Sequence, residues 1–88
     1  MAAPDEDTAS RRLMRPLKRS FAIKGHRTSI SMEGPFWEAL QQAAALEKRT
    51  LAGLVATIDE TRGDAGLSSA VRVWILDYFR KRALPIAR

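Results

Sequence analysis

The sequence predicts a mostly α-helical fold with a short β-ribbon. The run RTSISM at residues 27–32 alternates polar and apolar side chains, which is the period of a β-strand. Glu33, Gly34 and Pro35 end this run, and three segments with the apolar spacing of helices follow. Because even two isolated strands are marginal in water, a single short strand needs a partner. That partner must come from elsewhere in the chain or from a second copy of it.

Two partners for this strand are compatible with the sequence. The preceding run SFAIK, residues 20–24, also alternates, and Gly25 supplies the positive φ that a tight hairpin turn needs. An intramolecular hairpin through Lys24 to Arg27 is therefore one possibility. Pairing with the same strand of another chain is the other, and periodicity does not choose between them.

Turn and capping residues delimit three helices. Pro35 fits the first turn of a helix that runs to about Glu47, and Thr50 is a suitable N-cap for a second helix that ends near Arg62. Ser68 or Ser69 can cap a third helix after the glycine-containing loop at residues 63–66. The expected apolar positions are Phe36, Leu40, Ala43 and Ala44 beside Trp37 in the first helix, Leu51, Leu54, Val55 and Ile58 in the second, and Val71, Trp74, Ile75, Tyr78 and Phe79 in the third.

Chain length limits how this fold is stabilised. With 88 residues the chain forms one domain at most, and its own core is expected to be thin. The absence of cysteine excludes disulfides and thiolate metal sites, and the single histidine has no second imidazole with which to share a metal. We therefore expect oligomerisation, and we expect no cofactor and no metal.

Positive charge is concentrated on the predicted strand and the segment before it, with a second cluster at the C-terminus. Residues 11–32 contain seven bases and no acid, and residues 80–88 contain four bases, within a net charge of +5. Such clusters suit a polyanionic partner, although a basic tail can also serve solubility alone. No apolar run approaches the roughly 20 residues of a membrane span, and the acidic start is unlike a secretory signal. We expect a cytoplasmic protein without membrane association.

The order of basic arm, short strand and threonine-capped helices resembles the ribbon-helix-helix family of bacterial DNA-binding proteins. The resemblance spans about residues 19–80, and the runs GHRTSISMEGPFW and LSSAVRVWIL are similar to a short, stand-alone subfamily. It implies an intertwined homodimer whose two chains pair one strand each into an antiparallel ribbon that enters the DNA major groove. The smallest members end after two helices, so either the third helix is an addition, which we favour, or the helix assignment from Leu51 onward must shift. The implied layout is a flexible basic arm at 1–19, a ribbon-helix-helix domain at 20–83 and a basic tail at 84–88.

The resemblance also assigns roles to residues. Arg27, Ser29 and Ser31 correspond to the positions that read bases, and Thr50 corresponds to the phosphate anchor at the start of the second helix. Further phosphate contacts are expected from Lys24, His26, Lys48 and Arg49. The dimer core is expected to contain Ile30, Met32, Leu54, Ile58, Trp74, Ile75 and Tyr78.

These features predict a regulator that binds double-stranded DNA in a sequence-specific way and represses transcription by occupancy, with tandem dimers on adjacent sites. The alternative is a protein-interaction module, an antitoxin-like dimer that binds a protein partner. We expect no catalytic residues, because serines and acids lie at caps, turns and polar helix faces without a grouped base.

Overall fold

The computed structural model describes residues 15–83, so the expected basic tail and residues 1–14 of the expected arm lie outside the described residues. The chain forms a two-stranded antiparallel sheet followed by three helices. The elements are β1 (Pro16–Ile23), β2 (His26–Glu33), α1 (Gly34–Leu46), α2 (Leu51–Thr61) and α3 (Leu67–Ala83). The predicted fold class, a short β-ribbon with three helices, is confirmed.

An intramolecular hairpin gives β2 its partner strand. Lys24 and Gly25 form the turn with φ of 52° and 80°, and positive φ at both central residues is typical of the type I′ turns that join two strands tightly. The register pairs Ile23 with His26 and runs to Pro16 opposite Glu33. Of the two partners that periodicity allowed, the structure therefore shows the one in the same chain.

Strand β1 begins at Pro16, so residues 16–19 of the expected arm belong to the ribbon. Alternation is masked there because the inward positions hold Leu17, which remains 45% exposed, and Arg19. The Arg19 guanidinium lies 5.0 Å from the Trp37 ring centroid, so a charged residue occupies an inward position by packing on an aromatic face. A search for alternating apolar residues therefore does not detect this part of the strand.

The core lies between the inner face of the sheet and the three helices. Its buried members are Ile23, Ile30, Met32, Trp37, Leu40, Ala43, Ala44, Leu54, Val55, Ile58, Val71 and Ile75. Trp37 rather than Phe36 is the buried aromatic residue of α1. It stacks on Phe21 with ring centroids 5.9 Å apart and donates its Nε1–H to the carbonyl oxygen of Leu17 at 2.9 Å. Those contacts attach β1 to α1.

Backbone geometry at the helix ends agrees with the capping expectation for α2 and differs from it for α3. Thr50 Oγ1 accepts a hydrogen bond from Gly53 N at 3.0 Å and caps α2. The third helix starts earlier than predicted, because the carbonyl oxygen of Gly66 accepts from Ala70 N at 2.9 Å. Ser68 therefore lies inside the first turn, and its hydroxyl bonds to the sheet instead of capping the helix. No helix within residues 15–83 is long and apolar enough to cross a membrane.

Candidate nucleic-acid interface

The outer face of the hairpin carries the three residues expected to read bases. Ile30 and Met32 of β2 are buried, so the intervening residues Arg27, Ser29 and Ser31 point away from the helices. Arg27 and Ser29 are exposed, and Ser31 is half-buried. The structure therefore brings the three side chains together on one face of a sheet whose opposite face is anchored in the core.

The third helix covers part of the outer edge of β2. Ser31 N donates to Ser68 Oγ at 3.2 Å, and the carbonyl oxygen of Ser31 accepts from Arg72 Nη2 at 3.2 Å. Both backbone groups of Ser31 therefore face away from β1. Because backbone groups alternate along a strand, those of Ser29 and Arg27 point toward the same edge. Helix α3 covers this edge at Ser31, and the stretch from Arg27 to Ser29 lies beyond these two contacts.

Glu33 and Arg72 form an ion pair at the end of the ribbon. Arg72 Nη2 lies 3.2 Å from Glu33 Oε1, and the guanidinium also lies over the Phe36 ring at 5.8 Å. The pKa of Glu33 is lowered, chiefly by a hydrogen bond from its own backbone N–H and also by Arg72, whereas partial burial opposes the shift. Glu33 is therefore ionised at neutral pH, and its charge is paired with that of Arg72.

The expected phosphate contacts near the turn lie away from the outer face that carries Arg27, Ser29 and Ser31. His26 is paired with Ile23 across the hairpin, and residues directly opposite share a face, so His26 lies on the side of the helices while remaining exposed. Lys24 Nζ lies 2.9 Å from Glu60 Oε2, and both side chains are more than half exposed. Exposed pairs of this kind are weak, and the ammonium group stays available to a stronger anionic partner.

The remaining expected phosphate contacts lie at the junction of α1 and α2. Thr50 caps α2 by accepting a hydrogen bond from Gly53 N. The amides of Leu51 and Ala52 belong to the first turn of α2, where backbone N–H groups have no partner within the helix. This is the geometry that favours an anion. Arg49 is directed elsewhere, because its guanidinium donates to the carbonyl oxygen of Gly53 and to Thr57 Oγ1.

Residues expected in a dimer core divide into two groups. Ile30, Met32, Leu54, Ile58 and Ile75 are buried within the core of a single chain. Trp74 and Tyr78 are half-buried and stack with ring centroids 4.9 Å apart. Tyr78 donates its hydroxyl to Glu47 Oε2 at 2.6 Å, and this hydrogen bond raises the pKa of Tyr78.

An apolar groove lies between α2 and α3. Its volume is about 430 Å³, and its walls include Ile58, Val73 and Trp74. Val73 is 65% exposed, and Leu76 is 55% exposed on the same helix. These two residues extend the apolar surface of α3 beyond the positions that the helical spacing predicted. Within residues 15–83 no three His, Asp or Glu side chains are grouped as metal ligands would be.

Sequence reasoning missed the contribution of β1 to the outer face. Opposite residues share a face, so Lys18, Ser20 and Ala22 of β1 lie beside Ser31, Ser29 and Arg27 of β2. Ser20 Oγ and Ser29 Oγ are 3.3 Å apart on the exposed side. The length of the turn could have revealed this face, because a two-residue turn at Lys24 and Gly25 fixes the register between the two strands.

Comparison with known families agrees with this architecture. A family model described as a ribbon-helix-helix domain matches residues 16–79, which is well over half of the chain and begins at the first residue of β1. Searches of curated proteins and of solved structures gave no match. The ribbon-helix-helix domain is a DNA-binding fold typical of transcription regulators. On the combined basis of its hairpin, its helices and this match, the chain belongs to the ribbon-helix-helix domain family.

Proposed function

We propose that this protein is a sequence-specific DNA-binding regulator of transcription that acts in the cytoplasm as a repressor, by occupying its site. The observation that carries the proposal is the exposed outer face of β2, where Arg27 and Ser29 project from a strand whose other face is buried. A two-stranded ribbon fits the major groove, which is about 12 Å wide. The proposal includes no enzymatic activity.

Side-chain chemistry suits base reading at these positions. Arg27 can present two N–H donors to O6 and N7 of guanine, which discriminates by about 1–3 kcal/mol against a wrong base. The hydroxyls of Ser29 and Ser31 can donate or accept and therefore discriminate less. Ser31 is further restricted, because α3 contacts both its backbone N–H and its carbonyl oxygen. In this proposal Arg27 is the principal reader.

Phosphate binding is proposed at the start of α2 and around it. The amides that follow Thr50 supply an anion site, while Lys48 and Arg49 lie just before it in the chain. Arg49 must leave its contacts with Gly53 and Thr57 to reach a phosphate. Lys24 and His26, at the turn, are proposed as contacts to the flanking backbone.

We further propose that the protein acts as a homodimer, with tandem dimers on adjacent DNA sites. The edge of β2 between Arg27 and Ser29 offers backbone groups to the same edge of a second chain. Two hairpins joined there form a four-stranded antiparallel sheet. Trp74 and Tyr78, half-buried on α3, remain proposed interface residues.

The deciding experiment is selection of random genomic fragments by the purified protein at about 150 mM salt. We expect enrichment of a pseudo-palindromic motif. Arg27→Ala should weaken binding to that motif by about 1–3 kcal/mol and relax the preference at one base pair of each half-site. Arg80→Ala, which removes the same charge from the end of α3, is the matched control and should leave the preference unchanged. Equal effects of both substitutions, or no enriched motif, would contradict base reading by β2.

A second candidate function is binding of a protein partner. The groove between α2 and α3, with the 65% exposed Val73 on its wall, favours it as a docking surface for an apolar segment. Salt separates the two functions, because neutralising phosphates gives a slope of about −0.9 per contact in log affinity against log salt. An apolar contact has a much smaller slope.

A further inference from the structure

Strand β1 places a second row of side chains beside the reading residues of β2. The register puts Lys18 opposite Ser31, Ser20 opposite Ser29 and Ala22 opposite Arg27. Lys18, Ser20 and Ala22 are all exposed. We infer that β1 completes the DNA-facing surface and that Lys18 binds a DNA phosphate, an inference that rests on the proposed function and deepens it.

The charge on this surface is arranged for a polyanion. Lys18 and Arg27 are at opposite ends of the face, about 14 Å apart along the strands at the usual rise of about 3.4 Å per residue. The positions between them hold serine and alanine, whose short side chains allow DNA to approach the sheet closely. The carboxylate on this face, Glu33 at the end of β2, is paired with Arg72. The face therefore presents two cations and one neutralised acid.

Strand spacing favours a phosphate over a base as the partner of Lys18. In the proposed dimer the two β2 strands are central, and three spacings of about 4.8 Å put the two β1 strands about 14 Å apart. Because this distance exceeds the major-groove width of about 12 Å, the β2 strands enter the groove and each β1 lies over the sugar–phosphate backbone that forms a wall of the groove. Phosphates line that wall, and a lysine ammonium binds them as a point charge.

The neighbouring residue provides a matched control. Arg19 is also basic and lies on the same strand, but its guanidinium packs over Trp37 at 5.0 Å on the side of the helices. Lys18→Met and Arg19→Met each remove one positive charge and keep an unbranched side chain of similar length. General electrostatic attraction treats the two variants alike, whereas a specific phosphate contact does not.

The experiment measures affinity for the duplex recovered by selection, and for a scrambled duplex, from about 50 to 300 mM salt. Lys18→Met should lower affinity about tenfold on both duplexes. It should also reduce the magnitude of the salt slope by about 0.9 for each Lys18 in contact. Arg19→Met should change neither quantity appreciably, and Lys18→Arg should restore binding. Thermal unfolding of every variant checks that the fold is retained.

The outcomes separate this inference from the proposed function. If Arg27→Ala loses the preferred motif while Lys18→Met behaves like Arg19→Met, the role of Lys18 is refuted and the proposed function stands. If the unaltered protein enriches no sequence and binds the scrambled duplex without a salt slope, both are refuted. If Lys18→Met changes the preferred bases rather than the affinity for both duplexes, the phosphate assignment is wrong.

Discussion

Ser20 is the β1 residue whose hydroxyl contacts Ser29, one of the proposed base-reading residues. Its Oγ lies 3.3 Å from that of Ser29, and either hydroxyl can be the donor. A serine hydroxyl that reads a base must commit its proton in one direction, because donor and acceptor bases need opposite orientations. We expect the Ser20 hydroxyl to hold that of Ser29 in one of these orientations when Ser29 contacts a base.

Ser20→Ala therefore should relax discrimination at the base pair that Ser29 contacts, by roughly fivefold, which corresponds to one neutral hydrogen bond. Total affinity should fall less than it does in Arg27→Ala. Competition binding with single-base variants of the selected duplex measures the effect. Ser69→Ala, at an exposed serine of α3, is the control. An unchanged profile for Ser20→Ala would show that Ser29 is oriented by DNA or water instead.

At the scale of elements, the end of α1 combines strain with a proposed contact. Arg49 N bonds to the carbonyl oxygen of Ala44, and Lys48 N bonds to that of Ala45, which is the Schellman arrangement. Lys48 holds φ of 56°, the left-handed region that glycine normally occupies at this position. A lysine there keeps a positive charge beside the start of α2 at a conformational cost.

Lys48→Gly should raise the free energy of unfolding by about 0.5–1 kcal/mol, because relief of about 1–2 kcal/mol of strain exceeds the entropy that glycine adds to the unfolded chain. Urea denaturation measures this. Under the proposed function the same variant binds DNA more weakly. Lys48→Ala serves as the control, since it removes the charge without relieving φ and should weaken binding with no gain in stability. Equal stability of the two variants would rule out strain at Lys48.

Helix α3 shows how one element changes the role of another. Through Ser68 and Arg72 it contacts both backbone groups of Ser31, and these contacts occupy part of an edge that other chains could otherwise extend. In the proposed dimer, α3 therefore sets the length of β2 that is left for pairing with a second chain. This explains in physical terms why a helix beyond the two of the smallest family members can matter to the ribbon.

For the whole molecule, the proposed dimer can be tested through the edge of β2. The N–H of Ser29 points away from β1, so Ser29→Pro removes a donor that the hairpin does not use. We expect this variant to remain folded and to sediment as a monomer, whereas the unaltered protein sediments as a dimer. Thr28→Pro is the contrasting variant, because the Thr28 backbone faces β1 and its loss should lower the melting temperature.

Sedimentation at several concentrations, with circular dichroism to check the fold, distinguishes the outcomes. A dimer that survives Ser29→Pro would move the interface away from the β2 edge and toward the half-buried pair Trp74 and Tyr78 on α3. An unaltered protein that is monomeric at every concentration would contradict the homodimer altogether. Five of the residues expected in a dimer core already lie buried within one chain, so burial alone does not require a second copy.

Local patterns in the sequence determined the elements of this protein and part of its proposed site. Alternation from Arg27 to Met32 assigned the outer face of β2, and Pro35 and Thr50 marked the starts of α1 and α2. These features are readable because side-chain period and capping depend on residues a few positions apart. The family resemblance then linked the face to DNA.

Features that depend on contacts between residues distant in sequence were decided only by the tertiary structure. Residues 16–19 became part of β1 because Trp37 binds Leu17 and Arg19 from another element. Ser68 does not cap α3 as expected, because its hydroxyl accepts a hydrogen bond from the backbone N–H of Ser31, 37 residues away at the edge of β2. The face that Lys18 shares with Arg27 depends on the hairpin register, which no single-strand pattern contains. Contacts between residues distant in sequence leave no local period, and for that reason the sequence alone could not place them.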